Sequence, residues 1–153
     1  MTIRPIEPPD IEAILAIQRA SPEVAQWVAS DYARVVTGDM AGWVAGGQGG
    51  VAGFLVARRA GSDLEILNFA VREDARRKRL GTFLLREALA WAGTFHAEKA
   101  LLEVRASNAA ALHFYERQGF QATGRRLRYY AAPTEDALLL SAEIASLAGN
   151  MQA

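Results

Sequence analysis

Two apolar strands separated by one amphipathic helix constrain this chain more than any other feature. Leu64–Val71 is a run in which Ile66, Leu67, Phe69, Ala70 and Val71 are nearly continuously apolar. Leu80 to Trp91 follows with Leu80, Leu84, Ala88 and Trp91 on one helical face, and Ala100–Val104 is apolar again. Strand, helix and strand at this spacing close as a right-handed parallel βαβ unit. The unbroken apolar run predicts a strand covered on both faces. Ligands of such sheets collect at the carboxyl ends of strands and at helix N-termini. The polar turns at those two places therefore carry the functional argument.

The flanking segments extend one sheet. Thr2–Ile6 reads as a short edge strand, because prolines at 5, 8 and 9 bar it from a central position. Asp10 is placed as the cap of a helix carrying Ile11, Ile14, Leu15 and Ile17. Pro22 is expected to open a second helix with Val24, Trp27 and Val28 as its apolar stripe. Trp43–Ala45 and Val51–Ala57 form a hairpin about the loop GGQGG. After the βαβ unit come a helix Asn108–Gln118, stopped by Gly119 as a left-handed cap, and strands Phe120–Tyr130 and Asp136–Ile144. The predicted order is β-α-α-β-β-β-α-β-α-β-β, an α/β (α+β) fold. Residues 1–145 form one domain, with 146–153 a frayed tail.

Composition narrows the chemistry. The 153 residues carry 17 Lys plus Arg against 17 Asp plus Glu, so the basic excess of a duplex-binding protein is missing and nucleic acid is not expected. There is no cysteine, hence no disulfide and no thiolate nucleophile, and two isolated histidines give no metal-ligand spacing. MTIRPIEPPD does not read as a signal peptide, and no apolar run approaches the roughly 20 residues that span a bilayer. A cytoplasmic protein without membrane contact, monomeric or weakly dimeric, is expected.

The stretch from Leu101 to Phe120 puts a carboxylate, Glu103, inside an apolar strand. Alternation sets Ala100, Leu102 and Val104 on one face, with Leu101, Glu103 and Arg105 on the other. Two readings of Glu103 stand. It is a base whose pKa apolar neighbours raise, or a structural partner of Arg105. Asn108 and Tyr115 are seven residues apart, so two helical turns align them with Ala111 and Leu112. Tyr115 is either a core tyrosine, with Phe114 the more natural core residue, or a proton donor. Tyr129 and Tyr130 either flank a groove or pack as strand residues, Trp27 reads as core, and His113 as solvent-facing.

Arg76-Arg77-Lys78-Arg79-Leu80-Gly81-Thr82 is the densest basic run, placed at the last turn of a strand and the first turn of a helix. Cations at a helix N-terminus oppose the macrodipole unless an anion docks there. Against this pyrophosphate reading stands a solvated loop whose arginines pair with Glu73 and Asp74.

The patterns V-R-E-D-x-R-R-K-R-L-G-T-x-L-L and L-E-V-R-A-S-N-A-A-A-L-x-F-Y-E-R-Q-G-F resemble the GNAT superfamily of acetyl-CoA-dependent N-acetyltransferases. Arg128-Tyr129-Tyr130-x-x-Pro133-x-Glu135-Asp136-Ala137 is similar to the ending of the bacterial ribosomal-protein alanine N-acetyltransferases. The likeness runs from about Gly53 to Leu140. It implies a mixed, mostly antiparallel sheet of about seven strands flanked by about four helices, with acetyl-CoA as co-substrate and no metal. It further implies that Phe69, Ala70 and Val71 offer backbone hydrogen bonds to the acetyl-pantetheine arm. Arg76, Arg77, Lys78, Arg79, Leu80, Gly81 and Thr82 would surround the pyrophosphate, and Asn108 would touch the pantetheine. Glu103 would be general base and Tyr115 general acid. Arg79 stands where the family loop has its first glycine; at negative φ it would keep the backbone contact and add a cation.

An α-amine of pKa about 7.8 is roughly one-seventh neutral at pH 7, whereas a lysine at about 10.4 is about 0.04% neutral. That difference, roughly 3.5 kcal/mol, favours an α-amine acceptor for a single glutamate base. The expected reaction is direct attack in a ternary complex on a protein or peptide N-terminus, for instance the N-terminal alanine of a small-subunit ribosomal protein. A lysine or small-molecule acceptor and a non-catalytic acyl-CoA sensor are the alternatives.

Overall fold

The computed structural model describes residues 2–37, 40–76 and 78–147. Its elements are β1 (Thr2–Pro5), α1 (Ile11–Arg19), α2 (Ala29–Thr37), β2 (Met40–Gly47), β3 (Gly50–Ala60), β4 (Asp63–Val71), α3 (Leu80–Gly93), β5 (Lys99–Arg105), α4 (Ala109–Gln118), β6 (Gln121–Tyr130) and β7 (Glu135–Glu143). One seven-stranded sheet runs in the order β1-β2-β3-β4-β5-β7-β6. Among the described residues only β4 and β5 pair in parallel, as a strand–helix–strand unit demands. The expected fold class and element order hold. The late insertion of β7 between β5 and β6 is a feature that local patterning does not encode.

Two apolar layers hold the sheet. On one face α3 buries Leu80, Leu84, Leu85, Ala88 and Ala92 against Leu55, Leu64 and Leu102, and Tyr115 of α4 joins that cluster. On the other face Ile14 and Ile17 of α1 and Tyr32 and Val35 of α2 pack on Val44, Phe54 and Val56. The apolar run of β4 serves both layers through a bulge. Asn68 faces Val56 and Ile66 faces Ala57, so Leu67 has no partner on β3. The extra residue flips the alternation. Leu64 and Ile66 point to the α3 layer, whereas Ala70, beyond the bulge, belongs to the α1–α2 layer.

Several local expectations are corrected. Residues 22–28 form no helix, and Val28 is exposed; the second helix starts at Ala29, with the Asp31 carboxylate accepting from Val28 N–H at 2.9 Å. Pro22 marks an irregular segment whose backbone is held by distant side chains. Asp10 stands at the N-cap position of α1 but bonds none of its amides. Its carboxylate instead accepts from Glu7 N–H at 2.8 Å and from both Arg4 terminal nitrogens at 2.7 and 2.9 Å. The tail does not fray at Ser146, since residues 144–147 make a helical turn that buries Leu147. Residues 148–153 lie outside the described residues. Gly119 caps α4 at φ 114°, as expected. Among the described residues no helix is long and apolar enough to cross a membrane.

Candidate active site

The site begins where β4 and β5 part. Their pairing covers only Asp63–Lys99, Leu64–Ala100 and Glu65–Leu101, and stops before the Leu67 bulge. Beyond it β5 stays paired with β7, so the two strands splay. Arg72 N–H bonds the Ala52 carbonyl at 2.7 Å. By antiparallel alternation Ala70 also faces β3, while Phe69 and Val71 turn their backbone groups to the open edge. Of the three residues expected to offer backbone bonds, Ala70 is therefore not placed to do so. Phe69 N–H is already engaged by Asn68 Oδ1 at 3.1 Å, and the Val71 carbonyl accepts from Arg76 Nε at 3.2 Å.

Two clefts meet at this gap. One, of about 970 Å³, runs between α3 and α4 and is lined by Val71, Arg76, Arg79, Leu80, Gly81, Thr82 and His113. The other, of about 670 Å³, is lined by Trp27, Glu65, Glu103, Arg126, Tyr129 and Tyr130. Glu23, Val24, Phe69, Asn108, Ala111 and Tyr115 belong to both. The predicted stripe of Asn108, Ala111 and Tyr115 is thus the boundary at which the clefts join.

The larger cleft suits a polyanion. The amides of Leu80, Gly81 and Thr82 open α3, and no side chain caps that end. Uncapped amides beside Arg76, Lys78 and Arg79 fit a pyrophosphate. The loop is not the last turn of a strand: Glu73–Ala75 form a 3₁₀ turn between β4 and the basic run. Among the described residues its arginines do not pair with Glu73 and Asp74; Asp74 binds Arg72 at 2.5 Å, and Arg76 reaches Glu23 at 4.0 Å. Arg79 does not keep a negative φ. It sits at φ 63°, in the left-handed region that glycine occupies without strain, with its guanidinium 5.9 Å from the Phe83 ring centre. Gly81 serves helix packing, because a Cβ there would stand 3.3 Å from the Phe114 ring. Arg77 lies outside the described residues.

Tyr115 is more buried than Phe114, contrary to expectation, and is 6% exposed. Its ring meets Phe114 and Phe120 at 5.3 Å and Phe69 at 6.2 Å. Burial alone pushes its phenol well above the ordinary value of 10. The core and functional readings of this tyrosine are therefore one arrangement: the ring packs in the core, and the residue also lines the cleft junction. Asn108 caps α4 by accepting from Ala111 N–H at 3.1 Å, which leaves its amide nitrogen for other partners.

The faces of β5 are as predicted, with Ala100, Leu102 and Val104 buried and Leu101, Glu103 and Arg105 partly open. The neighbours of Glu103 are not the apolar ones expected. Arg126 Nε lies 3.2 Å from its carboxylate, and Tyr129 hydrogen-bonds it, which together with its charge raises the Tyr129 pKa. Nor does Arg105 pair with Glu103. Arg105 binds Glu135 at 3.2 Å, and its guanidinium lies 4.4 Å from the Tyr130 ring centre. Glu135 Oε2 also accepts from Ser107 N–H at 2.6 Å, so this pair ties the β5–α4 turn to β7. Tyr129 and Tyr130 do flank the smaller cleft, Trp27 lines it as well, and His113 is exposed.

Sequence reasoning missed Glu23, Glu65, Asn68 and Arg126. Asn68 and Glu65 carried a signal, as the amide and the carboxylate in the apolar run LEILNFAV. The others reach the cleft only through loop and hairpin placement.

Comparison with known proteins gives a consistent picture. Residues 9–120 match the Acetyltransferase (GNAT) family. An N-alpha-acetyltransferase of Sulfurisphaera tokodaii is 39% identical over 80 residues, 52% of this chain and 47% of that protein. The ribosomal protein bS18-alanine N-acetyltransferase of Salmonella typhimurium is 35% identical over 96 residues, 61% of this chain and 65% of its own length. The matched segments thus cover about half to two-thirds of these relatives. The crystal structure of the ribosomal-protein-S18-alanine N-acetyltransferase from Escherichia coli superposes with a TM-score of 0.80 at 28% identity, covering 94% of this chain and 93% of that one. Ard1 from Thermoplasma volcanium superposes at 0.82 with 29% identity, over 93% and 96% of the two chains.

Proposed function

This chain belongs to the GNAT acetyltransferase family, and from that premise we propose that it moves an acetyl group from acetyl-CoA to the N-terminal α-amine of a protein. The observation that carries the reading is the meeting of two clefts at Tyr115, Phe69 and Asn108, with an uncapped helix end beside arginines on one side and a carboxylate on the other. Acetyl-CoA supplies the activated thioester carbonyl. The α3 amides and the basic loop hold its pyrophosphate. The open edge of β4 aligns the arm that reaches the junction, and Asn108 borders it.

On the other side Glu103 takes the proton released when the amine nitrogen bonds to the carbonyl carbon. As the carbon–sulfur bond breaks, Tyr115 gives its proton to the departing thiolate. The raised pKa of Tyr115 keeps that proton in place throughout the neutral range. The names of the relatives support an α-amine acceptor, and a ribosomal protein beginning with alanine is the acceptor class they suggest.

The test offers the protein acetyl-CoA with a peptide pool of varied N-termini and internal lysines. A 42-dalton gain, about the mass of an acetyl group replacing a hydrogen, confined to α-amines is the expected result. Gains only on lysines overturn the acceptor assignment. Acetyl-CoA binding without turnover overturns the catalytic one.

A further inference from the structure

The segment 21–28 has no helix or strand, yet Glu23 and Val24 line both clefts, and Ala25 and Trp27 line the smaller one. Inside the segment Gln26 Nε2 donates to the Ser21 and Val24 carbonyls at 3.2 and 3.0 Å, and further bonds must tie it to the helices and the sheet. Three buried side chains supply them. Asn68 Nδ2 donates to the Ala25 carbonyl at 3.0 Å and to the Tyr32 hydroxyl at 2.9 Å. That hydroxyl donates to Gln18 Oε1 at 2.5 Å, and Gln18 Nε2 donates to the Trp27 carbonyl at 2.8 Å. Each residue comes from a different element: β4, α2 and α1. All three are at most 4% exposed.

The Tyr32 hydroxyl orients both amides, since it takes a hydrogen from one and gives a hydrogen to the other. The Tyr32 ring also contacts the Trp27 ring at 5.1 Å. Two carbonyls two residues apart, each held by an amide nitrogen, set the course of the wall between them. Asn68 does more, because its Oδ1 accepts from Phe69 N–H at the bulge where β4 and β5 separate.

We propose that Asn68, acting through Tyr32 and Gln18, is a positioning residue that fixes the 21–28 wall and thereby sets the affinity for the acceptor. A buried relay of this kind adds little that apolar side chains of equal volume could not add by packing. What it supplies is one defined backbone course in a segment without regular structure. The inference rests on the smaller cleft being the acceptor side, as proposed above.

Asn68→Leu and Gln18→Leu break the relay from opposite ends. The expected result for each is a rise of about tenfold in KM for a peptide with an N-terminal alanine, the effect of roughly one lost buried hydrogen bond. Gln18→Leu releases the Trp27 carbonyl, which lines the smaller cleft and not the larger one, so in that variant the acetyl-CoA Kd and kcat should stay within about twofold. An unchanged peptide KM in both variants, or an equal rise in the acetyl-CoA Kd of Gln18→Leu, overturns the proposal. Tyr32→Phe removes one hydroxyl and keeps the ring, so it serves if the leucine variants do not fold. Its peptide KM should rise about threefold, the lower end for one hydrogen bond, and no rise counts against the relay. Amide hydrogen exchange separates this idea from the function assigned above. In each variant residues 21–28 should exchange faster while β3 stays protected, whether or not the wild type acetylates the peptide. Unaltered exchange at 21–28 overturns the relay, whereas an inactive wild type overturns only the acceptor reading.

Discussion

Tyr115→Phe separates what the ring does from what the hydroxyl does. The ring contacts to Phe69, Phe114 and Phe120 all survive the substitution. Stability at pH 7 should therefore change by no more than about 1 kcal/mol, the scale of one polar interaction. The proton donor to the leaving sulfur is lost. General acid catalysis contributes about 10²–10⁴ in rate, and a phenol made less acidic by burial belongs at the lower end. The expected loss is about a hundredfold in kcat, or roughly 2.7 kcal/mol of barrier, with the acetyl-CoA Kd unchanged.

The raised pKa adds a second readout. A phenol that holds its proton longer in the folded state stabilises the fold fully below pH 10. That contribution is lost as pH rises past 10, where only the unfolded chain has released the proton. The wild type should lose about 1.4 kcal/mol per pH unit there for this one group, and the phenylalanine variant should not. Single-turnover acetylation at pH 7 and urea unfolding between pH 7 and 11 measure the two effects. A kcat within threefold of wild type refutes the acid role. An equal alkaline loss in both proteins refutes the buried phenol.

Glu103→Gln should lower kcat/KM for a peptide acceptor by about a hundredfold, most at low pH where the α-amine is protonated. Because Glu103 is the main cause of the raised Tyr129 pKa, ultraviolet titration should show that phenol returning toward 10; a stationary Tyr129 refutes the geometry. Asp10→Asn should cost about 1.5–3 kcal/mol in urea unfolding at pH 7, since it removes charge-assisted bonds to Arg4. The Arg4 bond holds the Asp10 carboxyl below its ordinary value, so that stability is present above about pH 4 and fades as pH falls further. The gap between wild type and Asp10→Asn should narrow on acidification, and a constant gap counts against the assignment. Gly42→Ala puts a Cβ 2.6 Å from Ile6 Cδ1 and 2.8 Å from Val35 Cγ1, an overpacking expected to cost about 1–3 kcal/mol. An unchanged unfolding midpoint would show that β1 and α2 shift freely.

What the chain alone determined is what short-range chemistry writes. Apolar periods set the strand–helix–strand unit, and alternation set which face of β5 carries Glu103. Glycine's tolerance of positive φ set the end of α4 at Gly119. The spacing of Asn108 and Tyr115 aligned them on one stripe. Tertiary structure decided the rest, because the deciding partners are distant in sequence. Arg105 chose Glu135 over its neighbour Glu103, across 30 residues, and Asn68 reached the Ala25 carbonyl across 43. The Leu67 bulge needs the register of β3 to exist at all. Arg79 at φ 63° opposes the intrinsic preference of an arginine, and only its surroundings hold it there. Residues 22–28 show the same override: a proline that locally suits a helix start lies in a segment two of whose carbonyls are engaged by the buried amides of Asn68 and Gln18. Local sequence placed the carboxylate and the phenol, and the splay of β4 from β5 brought their two clefts together.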